Sequence, residues 1–244
     1  MGEAKKLLNL AELAPAERII LGIDVETKKE AGKYMRIASE AGLLVVKLES
    51  LLSSEGFENC SKQATKHGLA WLADLKSHKA LPATAREFTS LMKLEHPPIG
   101  ITIHIAEDSE TLRVAQDIAG ETAVFGITTL TTSKDNDVFD YYGLNRRERF
   151  KRQVERAKVA GLKGVQCSPL EVGEIKRDPE TAGLLTLVPG VHSSGENVGY
   201  QQNIDTPANA LAHGADLVVV ASEVISSEDP EQTLANIINK VGME

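Results

Sequence analysis

An amphipathic stretch that stops at a glycine and gives way to a short apolar run recurs along this chain, and nothing else in the sequence restricts its fold as strongly. Ala41-Gly42-Leu43 leads into Leu44-Val45-Val46-Lys47, and His67-Gly68-Leu69 leads into Ala70-Trp71-Leu72-Ala73-Asp74. Ala160-Gly161-Leu162 leads to Gly164-Val165-Gln166-Cys167-Ser168, and His213-Gly214-Ala215 leads into Leu217-Val218-Val219-Val220. A glycine after a helix supplies the left-handed C-cap. A short continuous apolar run is the signature of a strand buried on both faces.

Eight such strands are expected, near 19–25, 43–48, 69–75, 100–105, 122–130, 164–168, 184–189 and 217–222. Helical patterns fall between most of them, near 27–41, 83–95, 108–119, 146–160 and 205–213, and a last helix is expected near 229–241. The stretch 51–67 reads as a helix interrupted at Gly56, and a short helix near 4–13 precedes the first strand. Pro82, Pro169, Pro207 and Pro230 mark helix starts, since proline is tolerated in a first turn. Eight alternations in 244 residues predict a (β/α)8, or TIM, barrel of the α/β class, as one domain spanning 1–244. An open doubly wound sheet would show a glycine-rich turn after its first strand, whereas this chain has Val25-Glu26-Thr27-Lys28 there. Two irregular segments, about 131–145 and 190–204, follow the fifth and seventh strands, which puts both on the C-terminal face where barrels build their sites.

The net charge of −8 argues against a nucleic-acid partner. No run approaches the roughly 18 apolar residues that cross a bilayer, so no membrane role is expected. Lys5 and Lys6 precede an apolar stretch too broken for a signal peptide. Cys60 and Cys167 fit no metal motif and no disulfide framework, which favours a reducing, cytoplasmic setting.

The ends of the strands carry the candidate chemistry. The first ends in Asp24, the second in Lys47, and the third in Asp74 and Lys76; the fourth carries His104 and the sixth Ser168. Alternation with period two points Asp74 and Lys76 to the same side. Charges inside apolar runs are costly unless paired, so their gathering at one barrel mouth marks a candidate active site. His104 alone reads as structural or supporting, His78 and the remaining histidines as helix-end or loop residues, and the run Arg146 to Arg152 as a solvated helix face.

With these residues placed, the chain resembles the orotidine 5'-monophosphate decarboxylase family over nearly its whole length. The matching pieces, in family order, include Leu21-Gly22-Ile23-Asp24-Val25, Val46-Lys47-Leu48-Glu49, Asp74-Leu75-Lys76-Ser77-His78 and Pro82-Ala83-Thr84. Thr102-Ile103-His104, Thr128-Thr129-Leu130-Thr131, Gly164-Val165-Gln166-Cys167-Ser168-Pro169 and Val188-Pro189-Gly190-Val191 follow. Gly199-Tyr200-Gln201 and Thr206-Pro207-Ala208 complete the set. The resemblance implies a nucleotide monophosphate substrate, orotidine 5'-monophosphate, and no metal or organic cofactor. It implies that Asp74 sits against the departing carboxylate, that Lys76 stabilises and protonates the carbanion, and that Lys47 orients the pair. Asp24 would bind ribose hydroxyls, Ser168 the ring amide and Gln201 the phosphate, with Ala221 and Ser222 lining the phosphate end. Thr84 would reach the neighbouring subunit's ribose region, which implies a homodimer.

Two departures from the family pattern carry expectations of their own. Lys79 stands where the family has a second Asp, so the site is expected to hold three lysines and one aspartate, a formal +2. After the eighth strand the segment reads Val220-Ala221-Ser222-Glu223 where the family places a phosphate-gripping arginine, and His192 stands where many members carry another. These departures leave open a barrel that binds nucleotide without turnover, or a lyase on another phosphorylated substrate.

Overall fold

The computed structural model describes residues 13–106, 108–129, 133, 135–195 and 204–242. Eight parallel strands close in sequence order: β1 (Ile19–Ile23), β2 (Val45–Leu48), β3 (Ala70–Ser77), β4 (Gly100–His104), β5 (Ala123–Ile127), β6 (Gly164–Gln166), β7 (Leu185–Val188) and β8 (Leu217–Val220). β8 pairs back onto β1. The expected (β/α)8 barrel is therefore present, strand for strand. Several ends differ from expectation: β3 runs on to Ser77, β5 stops at Ile127, and β1, β6 and β8 stop two residues early, at Ile23, Gln166 and Val220.

Period two explains what each strand shows to either side. Ile20, Val45, Leu72, Phe125, Leu187, Leu217 and Val219 form one buried cluster with Leu13, the filling of the barrel. The alternate residues Ile19, Leu21, Ile23, Val46, Leu48, Trp71 and Ala73 belong to the larger cluster shared with the helices. Gly22 stands opposite Lys47, and Lys47 opposite Leu72, so the inner residues of β1, β2 and β3 lie at matched heights. The seam between β1 and β8 needs a glycine at Gly22. A Cβ there would lie 3.1 Å from the Ala221 Cβ and 3.2 Å from Val219 Cγ1.

The expected helices appear as Lys28–Glu40, Ser50–Lys66, Leu81–Met92, Ser109–Ala119, Arg146–Val159, Pro207–Ala212 and Pro230–Gly242. Their starts follow side-chain capping: Thr27, Asp108, Asn145 and Thr206 each accept a first-turn N–H. Gly56, at φ 75°, breaks the helix Ser50–Lys66 as expected. Two short α-helices and a 3-10 turn at Pro15–Arg18 were not anticipated, and the helix start read at Pro169 falls at Val172. Asp135–Tyr142 lies inside the segment read as irregular and buries only Val138, so it has no apolar stripe to read. Val172–Arg177 and Ser222–Ile225 are too short to show a period. The helix expected near 4–13 lies outside the described residues except for Leu13.

Both cysteines are buried free thiols, and burial pushes Cys60 up to about 12. No helix among the described residues is long and apolar enough to cross a membrane.

Candidate active site

The C-terminal end of β3 departs from a plain strand. Ala73 pairs with Ile101 and Ser77 with Ile103, so Asp74, Leu75 and Lys76 together stand opposite the single Thr102. Lys76 takes up the extra length in the left-handed region, at φ 45°, an uncommon conformation for a residue with a side chain. Thr102 holds this bulge. Its hydroxyl accepts from the Lys76 backbone N–H at 2.9 Å and donates to Asp74 Oδ1 at 2.7 Å. Asp74 and Lys76 do meet, with Lys76 Nζ 2.8 Å from Asp74 Oδ2. They meet across a bulge fixed by a neighbouring strand, not through the simple alternation expected.

Asp74 is the buried centre of the cluster. Its side chain has no exposure, and Oδ2 accepts from both Lys47 and Lys76. Burial opposes its charge, but the two ammonium groups outweigh that cost and hold the carboxyl down at about 2. Burial likewise lowers Lys76, but Asp74 and Glu49 more than compensate, and it titrates above the ordinary lysine range. At neutral pH the mouth therefore presents a carboxylate flanked by an ammonium able to donate a proton.

The expected third lysine is not in this cluster. Lys79 extends to Glu87 on the helix Leu81–Met92, is half exposed, and leaves the Asp74 group alone. Glu87 is held in turn by the Ser77 hydroxyl at 2.8 Å. The expected formal +2 is corrected: Glu49, two residues beyond Lys47, places its carboxylate on Lys76 Nζ. Two lysines face two carboxylates, and the cluster is neutral.

Beside it lies a cleft of roughly 180 Å³, lined by Asp24, Lys47, Glu49, Gly190, His192, Ala221 and Ser222 among others. Asp24 follows β1 and accepts from the Ser50 hydroxyl, a neighbour the sequence did not suggest. Ala221 and Ser222 sit on the far wall after β8, where barrels frequently bind phosphate with the loops after strands 7 and 8. The next residue, Glu223, is already engaged: it takes the Ser193 backbone N–H at 2.9 Å and the Ser193 hydroxyl, with His192 Nε2 3.8 Å away. Thr84 is fully buried and spends its hydroxyl on the Lys79 carbonyl, 2.9 Å away. Gln201 lies outside the described residues.

Ser168 is buried at the end of β6, where its hydroxyl accepts from the Leu170 N–H at 3.2 Å and its own N–H donates to Glu171 Oε2 at 3.0 Å. Burial pushes the Glu171 carboxyl up to about 7, against the opposing pull of the Ser168 N–H. A folded-state value above the ordinary 4.5 means the native state holds the extra proton between those two pH values. The contribution of Glu171 to stability is thus most favourable at or below pH 4.5 and falls by about 3 kcal/mol as pH rises to 7. Glu171→Gln keeps an acceptor for Ser168 and cannot ionise. It is expected to raise Tm by roughly 6–12 °C at pH 8 and to leave it almost unchanged at pH 4. Equal shifts at both pH values would show that the ionised form carries no penalty.

His104 lies edge-on to His78, with ring centroids 5.8 Å apart. Burial, then His78 and Lys76, lower its titration. The basic helix face is also not uniformly solvated. Arg149 donates to the Thr129 hydroxyl at 2.9 Å and covers the Tyr142 ring at 3.5 Å, and Arg146 reaches Asp135 and the Ser133 carbonyl. Arg147, on the opposite side of the turn, stays exposed. Among the described residues no three of His, Cys, Asp and Glu are grouped to hold a metal ion.

Fold and cluster define a (β/α)8-barrel protein with an ionic site at the C-terminal mouth, where enzymes of this architecture work. The chain belongs to the orotidine 5'-phosphate decarboxylase / HUMPS family, whose model matches residues 17–237. It is 34% identical over 221 residues to the orotidine 5'-phosphate decarboxylase of Anaeromyxobacter dehalogenans, covering 89% of this chain and 95% of the relative. It is 30% identical over 227 residues to the enzyme of that name from Streptococcus suis, covering 90% and 95%. The crystal structure of orotidine 5'-phosphate decarboxylase from Lactobacillus acidophilus shares the fold, with TM-score 0.76 at 24% identity over 92% of this chain and 99% of that one.

Proposed function

We propose that this chain is a carboxy-lyase that converts orotidine 5'-monophosphate to uridine 5'-monophosphate in pyrimidine biosynthesis. The observation that carries the reading is the Asp74 carboxylate, buried between the Lys47 and Lys76 ammonium groups at the mouth of a barrel of this family. In this reading the substrate carboxylate is seated against Asp74. Two anions about 4 Å apart repel by about 4 kcal/mol at an effective dielectric constant near 20. Binding energy from the rest of the nucleotide offsets that repulsion, and loss of CO2 relieves it. The C–C bond breaks, its electron pair stays on ring carbon 6, and CO2 departs. The Lys76 ammonium stabilises the developing carbanion and then transfers a proton to carbon 6, recovering its own from solvent.

Lys47 holds Asp74 in place, Asp24 with Ser50 meets the ribose hydroxyls, and Ser168 reads the ring amide. Ala221, Ser222 and Gln201 serve the phosphate end. Thr84 faces the partner of a homodimer, which requires the helix Leu81–Met92 to reorganise on pairing because its hydroxyl is buried. The assay follows the loss of orotate absorbance on mixing purified protein with orotidine 5'-monophosphate. Turnover is expected, and its absence in folded protein would sink the proposal.

The Glu223 carboxylate, one residue past Ser222 of the cleft wall, favours one second reading, a lyase whose substrate carries no phosphate dianion there. Preferred turnover of orotidine over its 5'-monophosphate would support it. If the phosphate instead tolerates Glu223 at a cost, Glu223→Gln removes one like charge while keeping an acceptor for Ser193. It is then expected to tighten uridine 5'-monophosphate binding about tenfold, by calorimetry, since such a repulsion is worth about 1 kcal/mol or more. Unchanged affinity would place the phosphate elsewhere.

A further inference from the structure

Glu49 is a charged group of the mouth that the decarboxylation steps do not themselves use. It follows Lys47 by two positions, so both lie on the inner side of the barrel at the rim of β2. It also occupies the N-cap position of the helix Ser50–Lys66, where a carboxylate would ordinarily accept a first-turn N–H. Its side chain makes no such bond. It turns instead across the mouth to Lys76 Nζ and lines the cleft.

We infer that Glu49 is a positioning residue for the reaction, which tethers Lys76 Nζ from the neighbouring strand β2 and completes a neutral four-group array inside one protomer. The inference rests on the decarboxylase reading for its catalytic meaning, but its physical content stands apart from it. Lys76 sits on a left-handed residue at the tip of a bulge, and its side chain is 30% exposed. With Asp74 as its single partner the ammonium has an open path to solvent. A second anchor on β2 fixes it between two strands, at the place where a proton must be delivered.

The groups facing Lys76 come from several elements. Asp74 shares its strand, and Lys47 and Glu49 come from the rim of β2. His104 stands on β4 and His78 follows β3, with Arg149 acting on His104 from the helix Arg146–Val159. Of these, Asp74 and Glu49 are the acids, and Asp74 is already shared with Lys47. Lys79 takes no part, because Glu87 holds it away from the cluster.

The test reads Lys76 directly and needs no turnover. The rate at which an amine-acylating reagent labels the Lys76 peptide is measured by mass spectrometry across pH 7–11 in wild type, Glu49→Gln, Glu49→Asp and Lys79→Ala. In Glu49→Gln the midpoint for Lys76 is expected to fall by about one pH unit, the lower end of the effect of an adjacent opposite charge. This appears as a roughly tenfold rise in labelling near pH 8. Glu49→Asp retains the charge and should recover part of the shift, and Lys79→Ala should leave it unmoved. An unshifted midpoint in Glu49→Gln, or an equal shift in Lys79→Ala, overturns the inference. With orotidine 5'-monophosphate present, the alkaline limb of kcat should move in the same direction in Glu49→Gln. Absence of turnover in wild type would sink the decarboxylase reading and leave the labelling result to decide the role of Glu49.

Discussion

Lys76→Ala is expected to lower kcat for orotidine 5'-monophosphate by roughly 10³-fold or more while leaving the fold almost as stable as before. The rate loss follows from removing both the proton donor, which contributes about 10²–10⁴ in such roles, and the charge that faces the carbanion. The small cost in stability follows from what stays behind. Asp74 keeps Lys47 and the Thr102 hydroxyl, so its buried carboxylate is not orphaned. Glu49 is 41% exposed and returns to water. Lys76→Gly separates the two effects further. A left-handed conformation costs a residue with a side chain on the order of 1–3 kcal/mol, and glycine adopts it freely. The glycine variant should therefore be as inactive as the alanine variant, yet as stable as wild type or more so in urea. A glycine variant less stable than the alanine variant would mean that the Lys76 backbone is not strained.

The barrel was legible in the sequence because two independent signals agree before β2, β3, β6 and β8: a glycine that ends the preceding helix, and an apolar run too short to be one. The polar strand ends were legible for the same reason, since a charge inside such a run has few places to go but a mouth. What the sequence withheld depends on register between strands. Nothing in Asp74-Leu75-Lys76 reveals that three residues stand opposite Thr102, so the clamp that Thr102 makes was invisible. Lys79 was counted into the cluster from its place in the motif, and its true partner Glu87 lies in the next helix, reachable through the direction the chain takes after Ser77. Glu49 had a readable signal. It shares the parity of Lys47, and the same alternation that picked out Asp74 and Lys76 would have picked it. Arg146 and Arg149 are three apart and share a helix face, whereas Arg147 faces outward. Composition hides that division, and spacing discloses it.

Asp74→Asn is expected to do the opposite of the Lys76 variants, damaging the fold as well as the chemistry. The substitution keeps the shape and leaves Thr102 an acceptor, but Lys47, whose side chain is 11% exposed, loses the anion that compensates its burial. Removing one partner of a buried pair costs roughly 3–5 kcal/mol, and Glu49 sits on Lys76, too far committed to serve both lysines. The pH dependence gives a second, independent reading. The Asp74 carboxyl is held at about 2 in the folded protein against an ordinary 3.8, so its contribution is fully present above pH 3.8 and is lost as pH falls towards 2. That difference amounts to about 2 kcal/mol. Wild type should therefore lose about 2 kcal/mol of its advantage over Asp74→Asn progressively between pH 4 and pH 2, in urea unfolding followed by circular dichroism. A gap between the two proteins that stays constant over that range would mean that the folded mouth does not hold the Asp74 carboxyl below its ordinary value, and the two ammonium groups would then not stabilise the anion set against the substrate carboxylate.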